Sequence, residues 1–268
     1  MTEPVCPAMR SNIQKVLNAI EEEDGVRILL AVESGSRAWG FHSPDSDYDV
    51  RFVYARPKDW HYRVGKKRDV IERPIDAELD VSGWELSKAL QLALGSNAVV
   101  AEWLQSPILY RSLPGVIDQL TAFTERALSR KSVTWHYLSL LKRQQSRVLA
   151  PDGSLRVKRW FYILRPALAL RWLRLNERAM PPMDLARLRA ETDLSDPVSD
   201  AMDALLVRKM AAKEQATMTE VDPLLDNLVH SEWRAAEAWV ASAGWQDRDE
   251  LWAEATHLHM ALSEAAFA

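Results

Sequence analysis

The sequence predicts an α+β fold in which a small mixed sheet flanked by helices is followed by a C-terminal helical bundle. Short β-branched apolar runs and helical patterns alternate before residue 98, which is typical of a sheet with helices packed on it. From Ala98 onward, strand signals nearly vanish and helical periodicity dominates. The clearest boundary lies near Leu109 to Pro114, so we expect two domains, residues 1–112 and 113–268.

The first domain is expected to begin with a helix over residues 11–23, where apolar side chains recur on one stripe. A buried β-branched strand follows from Val26 to Val32 and ends at the sequence Glu33-Ser34-Gly35-Ser36. A loop rich in Gly, Ser, Pro and Asp comes next. The later elements of this domain are strands at 47–54, 69–73 and 75–81 and a helix that begins near Ser82, its expected cap.

The second domain is predicted to be helical throughout, because its apolar residues recur every three or four positions and its few breaks contain Gly or Pro. Pro166 is expected to kink one of these helices, since it lacks an N–H group and its ring crowds the preceding turn. From Ala98 onward the predicted helices are 98–105, which lies before the boundary, and then 114–129, 132–149, 154–176, 182–192, 197–217, 223–242 and 248–266.

Composition limits the classes of protein to which this chain can belong. The chain is 47% hydrophobic and 27% charged, which is typical of a globular protein, and no apolar run approaches the ~20 residues of a membrane span. The start lacks an apolar signal core, so a cytoplasmic location is expected. The single cysteine, Cys6, excludes an intramolecular disulfide and a Cys-based zinc site. His257 and His259 would point to different faces of a helix, so no metal site is expected there.

Two carboxylates mark the strand at 47–54. Asp47 and Asp49 are separated by one residue, and side chains on a strand alternate between its two faces, so both point to the same side. Like charges held this close repel each other, and a divalent cation is the usual remedy. Asp80, on a later strand between apolar neighbours, would complete a set of three. Such a set suits two Mg²⁺ ions, or Mn²⁺, which stabilise the attacking and leaving oxygens in phosphoryl transfer.

The Gly35-Ser36 pair adds a candidate phosphate-binding turn to the three carboxylates. Glycine lets the backbone approach phosphate oxygens closely, and the Ser36 hydroxyl adds a hydrogen-bond donor. Arg37 is placed to touch the β- and γ-phosphates, although an ion pair with an acidic neighbour explains it equally well. Cation and phosphate sites in this order indicate a protein that handles a nucleoside triphosphate.

The stretch from Gly35 to Arg51, GSRAWGFHSPDSDYDVR, resembles the signature of the DNA polymerase β-type nucleotidyltransferase superfamily. Within it, the chain is similar to a bacterial and phage family of nucleotidyltransferases associated with RNA repair. The similarity continues through 80–90, 101–107 and 157–166. This resemblance implies a polymerase β-like catalytic domain with metal carboxylates at Asp47, Asp49 and Asp80, and phosphate binding at Gly35 and Ser36.

Other acids compete for the third carboxylate. Asp76, Glu78 and Asp80 would all face one side of a continuous strand. Asp80 is preferred because Leu79 and Val81 bury its neighbours and because the family motif aligns there. Glu78 is the second choice.

The helix predicted at 154–176 offers a second wall for the site. Lys158, Tyr162 and Arg165 are spaced i, i+4, i+7 and share one face, which would close over the base and triphosphate. A solvated basic face with a buried tyrosine is the alternative. The surrounding segment, Arg130 to Arg178, carries twelve Lys or Arg and two acids, a net charge of +10, which suits a triphosphate or nucleic acid unless it is a solvated surface.

We therefore expect a Mg²⁺-dependent nucleotidyltransferase that moves an NMP from an NTP to an acceptor hydroxyl and releases pyrophosphate. RNA, such as a tRNA or a broken RNA end, is the preferred acceptor. One alternative is nucleotidylation (AMPylation) of a protein or small molecule. Another is a non-catalytic nucleotide-binding regulator, which a missing carboxylate would indicate, and none is missing.

Overall fold

Five strands form one mixed sheet in the computed structural model, which describes residues 4–43, 45–65, 67–75, 78–147, 149, 154–211, 217–218, 220–244 and 250–268. Strands β2 and β4 are parallel, and the other neighbouring pairs are antiparallel. The spatial order is β3-β4-β2-β1-β5, where the strands are β1 (Arg27–Ser34), β2 (Tyr48–Ala55), β3 (Val70–Glu72), β4 (Leu79–Glu85) and β5 (Leu109–Ser112).

Helices surround this sheet and make up most of the later chain, which confirms the predicted α+β class. A 3₁₀ helix spans Lys58–Tyr62, and a two-residue strand pair joins β6 (Leu155–Arg156) to β7 (Thr217–Met218). The helices are α1 (Pro7–Asp24), α2 (Gly35–Trp39), α3 (Leu86–Leu94), α4 (Ala98–Leu104), α5 (Val116–Ala127), α6 (Arg130–Gln145), α7 (Val157–Leu175), α8 (Leu185–Ala190), α9 (Asp196–Ala211), α10 (Pro223–Ser242) and α11 (Glu250–Phe267).

Strand β2 shows how the sheet separates two apolar cores. Val50, Phe52 and Tyr54 pack on the face that α1 covers. Val53 and Ala55 pack on the opposite face, with side chains from α3, α4, α5 and α11. Because side chains alternate along a strand, Asp49 shares this second face near the start of β2, ahead of its buried residues.

The segment after β3 differs from its prediction. Strand β4 runs from Leu79 to Glu85, so Ser82 lies inside the strand and caps no helix. Glu85 caps α3 instead, because its carboxylate accepts a hydrogen bond from the backbone N–H of Ser87. Pairing with β2 and β3 on both sides holds this segment extended, which outweighs the local capping preference of a serine. Asp76, one of the competing acids, lies outside the described residues.

Contacts divide the described chain into two compact units, at places other than the expected boundary after residue 112. The sheet unit comprises residues 4–38, the described part of 47–128, and 250–268. The helical unit comprises the described residues of 39–46 and 129–244. The expected boundary falls at β5, a strand that the sequence did not reveal and that pairs with β1. Helices α5 and α11 also join the sheet unit, because they pack on one of its cores.

The helical unit is built around α7, which continues through Pro166. Glu232 on α10 is buried and accepts hydrogen bonds from Arg171 and Arg174 of α7. The segment 39–46 belongs to this unit, since Phe41 stacks on Phe161 with ring centroids 4.9 Å apart. Ion pairs to a buried glutamate and aromatic stacking thus join segments that are far apart in sequence.

Among the described residues, no helix has both the length and the apolar character that a membrane crossing requires.

Candidate active site

Two of the predicted carboxylates meet where β2 and β4 begin. Asp49 is the direct register partner of Asp80 in this parallel pair, so the two side chains project from the same face of the sheet. Both remain about one-third exposed, with side-chain exposures of 30% and 32%. Asp47 is exposed and directly precedes β2, at the position that alternation assigns to the same face. The strand pairing therefore supports the carboxylate cluster expected from the sequence.

Arg51 lies between the two paired carboxylates. One terminal nitrogen of its guanidinium, Nη2, is 3.2 Å from Asp49 Oδ1 and 2.7 Å from Asp80 Oδ2. The other, Nη1, donates to the backbone carbonyls of Val50 and Asp80 at 3.0 Å. Two carboxylates this close need a positive charge, and the guanidinium supplies one. Oxygen donors in such a pair also suit a hard divalent cation such as Mg²⁺ or Mn²⁺.

Gly35 fits directly against the Asp49 carboxylate. Its φ of +63° lies in the left-handed region that favours glycine. A Cβ atom at this position would be 2.1 Å from Asp49 Oδ2, far inside van der Waals contact. Only glycine therefore allows the backbone at the start of α2 to approach the carboxylate this closely. The predicted approach of this backbone to phosphate oxygens stays a prediction.

The next two residues are more buried than the sequence suggested. Ser36 is 8% exposed and Arg37 is 7% exposed. The Arg37 guanidinium donates to the backbone carbonyls of Asp47 and Pro4, at 3.1 and 2.7 Å, and lies 3.7 Å from the centre of the Tyr48 ring. Arg37 thus holds the chain just before β2, a positioning role that the sequence did not predict. A phosphate contact from its side chain stays a prediction.

A buried acid supports Asp49 from the β1 side. Glu33 is fully buried; one carboxylate oxygen accepts the backbone N–H of Asp49 at 2.8 Å, and the other accepts the Tyr110 hydroxyl. Burial raises the pKa of Glu33 to about 7, and the nearby Asp49 charge adds to this effect against the opposing hydrogen bonds. Burial and the adjacent Glu33 also raise the pKa of Tyr110. This pair fixes the backbone that carries Asp49.

The three residues predicted to form a second wall all lie in the helical unit. Arg165 is buried, donates from Nε to the Met183 carbonyl at 3.0 Å and lies 4.6 Å from the centre of the Trp39 ring. Tyr162 is partly buried, with its ring edge-on to Trp39 at 5.4 Å. Lys158 is partly exposed one turn earlier. Arg165 and Tyr162 therefore pack against the 39–46 segment, and nucleotide contacts from this face stay a prediction.

The basic segment from Arg130 to Arg178 is partly neutralised within the helical unit. Arg171 and Arg174 pair with Glu232, and Lys142 pairs with Glu237 at 2.6 Å. Other cations of this segment bond to backbone carbonyls, as Arg130 does to Leu173. Internal pairing therefore reduces the charge that this segment can present to a polyanion.

The sequence did not lead us to Arg51 or Glu33 as residues of the site, although a pattern in the sequence points to each of them. Arg51 continues the alternation of Asp47 and Asp49, so three charged side chains in a row occupy one strand face. Glu33 is an isolated acid at the end of an apolar strand, where burial without a functional or structural partner is unfavourable. Tyr110 left no such signal, because its strand was not recognised.

Comparisons with known proteins identify relatives of the chain. The chain is 40% identical over 214 residues to the uncharacterized protein YcgL of Bacillus subtilis (strain 168), and the alignment covers 80% of this chain and 82% of that protein. The crystal structure of a nucleotidyltransferase-like protein from Exiguobacterium sibiricum 255-15 shares 15% identity and a TM-score of 0.31, over 86% of this chain and 75% of that one. That structural likeness is too weak to support an argument about fold or function.

A family model matches residues 9–260, which is most of the chain and includes every candidate site residue. Its description, RNA repair pathway DNA polymerase beta family, agrees with the resemblance found in the stretch from Gly35 to Arg51. The nucleotidyltransferase class is therefore supported by the family as well as by the motif. The chain belongs to the RNA repair pathway DNA polymerase beta family.

Proposed function

We propose that this protein is a divalent-metal-dependent nucleotidyltransferase that moves an NMP from an NTP to a hydroxyl of RNA and releases pyrophosphate. The observation that carries this proposal is the register of Asp49 and Asp80, whose carboxylates share the Arg51 guanidinium beside the left-handed backbone of Gly35. Family membership supports the reaction class and the RNA repair context.

Asp47, Asp49 and Asp80 would hold two ions, Mg²⁺ or Mn²⁺, with the first two carboxylates shared between them. Bound there, the ions would neutralise charge on the phosphates and on the attacking and leaving oxygens. The fit rests on the donor set, since carboxylates one-third exposed on one sheet face leave oxygen atoms accessible to a hard cation. Arg51 compensates the same carboxylates and keeps them together before the substrate binds.

The chain's own residues position the reacting groups. The acceptor hydroxyl attacks the α-phosphorus, the bond from that phosphorus to the bridging oxygen breaks, and pyrophosphate departs with the bonding electron pair. Asp80 orients the hydroxyl and takes its proton. The backbone at Gly35 and the hydroxyl of Ser36 bind the triphosphate, with Arg37 holding that turn.

Labelling with α-³²P-NTPs tests this proposal. Each of the four NTPs is supplied with Mg²⁺ or Mn²⁺ to the full chain, with total RNA, with a protein lysate or with no acceptor. We expect label in RNA. Label confined to protein or to a small molecule would contradict RNA as the acceptor and support nucleotidylation of another target.

Two substitutions test whether the paired carboxylates are needed for nucleotidyl transfer. Asp49→Asn and Asp80→Asn remove charge with little change in shape, so we expect transfer to fall by at least about 100-fold, the order associated with loss of a positioned catalytic group. Glu78→Gln is the matched control, because Glu78 is an exposed carboxylate two residues before Asp80. A chain that binds NTP but transfers no label with any acceptor would favour the regulatory alternative. Transfer that survives both Asp substitutions would overturn the mechanism.

A further inference from the structure

A second cluster of metal-ligand side chains lies at the opposite end of β4. His61, Glu85 and His259 each bring one ligand atom to a common point, and these atoms all lie within 4.8 Å of one another. Glu85 ends β4, five residues and about 16 Å along the strand from Asp80. The three residues come from the 3₁₀ helix, from β4 and from α11, all in the sheet unit.

One ring nitrogen of His61 is available as a metal ligand in this cluster. Its Nε2 is buried and has no hydrogen-bond partner within the described parts of the chain. The ring also forms a hydrogen bond with the Arg56 backbone. A backbone hydrogen bond at one nitrogen is the usual way in which a protein orients a metal-binding imidazole.

Glu85 and His259 lie at the distance expected between two ligands of one metal ion. His259 Nε2 lies 3.4 Å from Glu85 Oε1, close to the edge of a tetrahedron whose bonds are about 2.1 Å long. The other carboxylate oxygen of Glu85 accepts the Ser87 N–H at 2.6 Å, so the α3 cap fixes its orientation. Glu85 is 2% exposed, and a carboxylate buried this deeply needs a positive partner.

A cleft of about 540 Å³ opens beside the cluster and is lined by both histidines, with Lys58, Tyr62, Met260 and Phe267 among its other residues. Three protein ligands next to an open cleft leave a coordination position for water or a small ligand. Two imidazoles and one carboxylate suit Zn²⁺ and similar transition metals, whereas Mg²⁺ prefers a set made of oxygen atoms alone.

We propose that His61, Glu85 and His259 form a transition-metal site of the Zn²⁺ type, separate from the carboxylates at the start of β2 and β4. The site ties the C-terminal helix α11 to the 3₁₀ helix and to the end of β4. Its fourth coordination position faces the cleft. Metal bound there stabilises the folded chain, because the unfolded chain does not hold these three residues together.

Metal titration of the full chain tests the site. The protein is stripped with EDTA and then titrated with Zn²⁺, and with Co²⁺ as a spectroscopic probe. We expect one tight equivalent, a visible Co²⁺ spectrum of a four-coordinate site, and a rise in the thermal unfolding midpoint. His61→Ala and His259→Ala should weaken binding by at least about 100-fold, and Glu85→Gln, which keeps an acceptor for the cap, by about 10-fold or more.

Matched controls keep the result specific. His257→Ala removes an exposed histidine two residues from His259 on the same helix, and Cys6→Ser removes the exposed thiol. Both should bind Zn²⁺ as the unaltered chain does. The double variant Asp49→Asn, Asp80→Asn should also retain Zn²⁺, which separates this site from the proposed catalytic one.

Histidine-ring NMR of the unaltered chain covers the case in which a variant fails to fold. On addition of Zn²⁺ we expect the signals of His61 and His259 to shift while that of His257 does not. Absence of a tight equivalent, binding that survives loss of either cluster histidine, or shifts confined to other histidines would each overturn the proposal.

Discussion

Gly35→Ala probes the contact on which the candidate active site depends. In the structure, a Cβ at residue 35 would lie 2.1 Å from Asp49 Oδ2, whereas ordinary van der Waals contact begins at 3.4 Å. The carboxylate or the turn must therefore shift by about 1.3 Å. A displacement of about 1 Å in a catalytic group can cost about 100-fold in rate, so we expect a loss of that order in nucleotidyl transfer.

Two energy terms set the expected loss of stability. The left-handed φ of +63° costs an alanine about 1–2 kcal/mol, and relief of the overlap with Asp49 adds about 1–3 kcal/mol. Gly25→Ala isolates the first term, because Gly25 has a φ of +60° and a Cβ there would have no atom within 4 Å. We therefore expect Gly25→Ala to lose about 1–2 kcal/mol in the free energy of unfolding and to keep its transfer rate.

Urea denaturation gives the free energies of unfolding, and single-turnover transfer of labelled NMP gives the rates, corrected for the folded fraction. Mn²⁺ affinity, followed by electron paramagnetic resonance, reports on the Asp49 carboxylate without need of an acceptor. If Gly35→Ala transferred NMP and bound Mn²⁺ as well as Gly25→Ala does, the close approach of residue 35 to Asp49 would have no part in the site.

Three further predictions concern charged side chains. Arg51→Gln removes the guanidinium shared by two carboxylates, so the free energy of unfolding of the metal-free chain should fall by about 1–3 kcal/mol. Mn²⁺ should then raise the thermal unfolding midpoint of this variant more than that of the unaltered chain. Equal shifts of the midpoint would contradict this role of Arg51. Glu33, with its pKa raised from 4.5 to about 7, holds a proton in the folded state that the unfolded state releases. The contribution of Glu33 to the free energy of unfolding is therefore complete below pH 4.5 and falls by about 3 kcal/mol as the pH rises to about 7. Glu33→Gln should remove that part of the slope in urea denaturation with EDTA, and an unchanged slope would refute the assignment. Glu232→Gln leaves two arginines facing a buried neutral group and should lower the free energy of unfolding by about 1–3 kcal/mol. Glu237→Gln, which breaks an exposed pair, should lower it clearly less; similar losses in the two variants would contradict the difference in burial.

Much of the fold follows from local patterns in the sequence. Most helices of the second half were predicted within a few residues of their observed ends, because apolar periodicity and Pro or Gly breaks act over short distances. The prediction of helix throughout was wrong at Leu155–Arg156 and Thr217–Met218, which pair with each other as strands β6 and β7. The α10 prediction, 223–242, matches Pro223–Ser242, where Asp222 caps a helix that begins with proline. Alternation along β2 also placed Asp47 and Asp49 on one face, which is a property of any strand.

Local patterns were insufficient where neighbours in space outweigh neighbours in sequence. The segment around Ser82 has a plausible helix cap, yet pairing with strands on both sides keeps it extended as far as Glu85. Strand β5 is four residues long and carries little signal of its own, but it pairs with β1 and brings Tyr110 to Glu33.

The sequence by itself determined the chemistry available to this protein: three carboxylates, a glycine turn before them and the family to which they belong. Tertiary structure alone decided which atoms meet. Arg51 reaches Asp80 across 29 residues, and His259 reaches Glu85 across 174. The physical reason is that periodicity fixes the face on which a side chain lies, whereas strand register and helix packing fix its partner across that face.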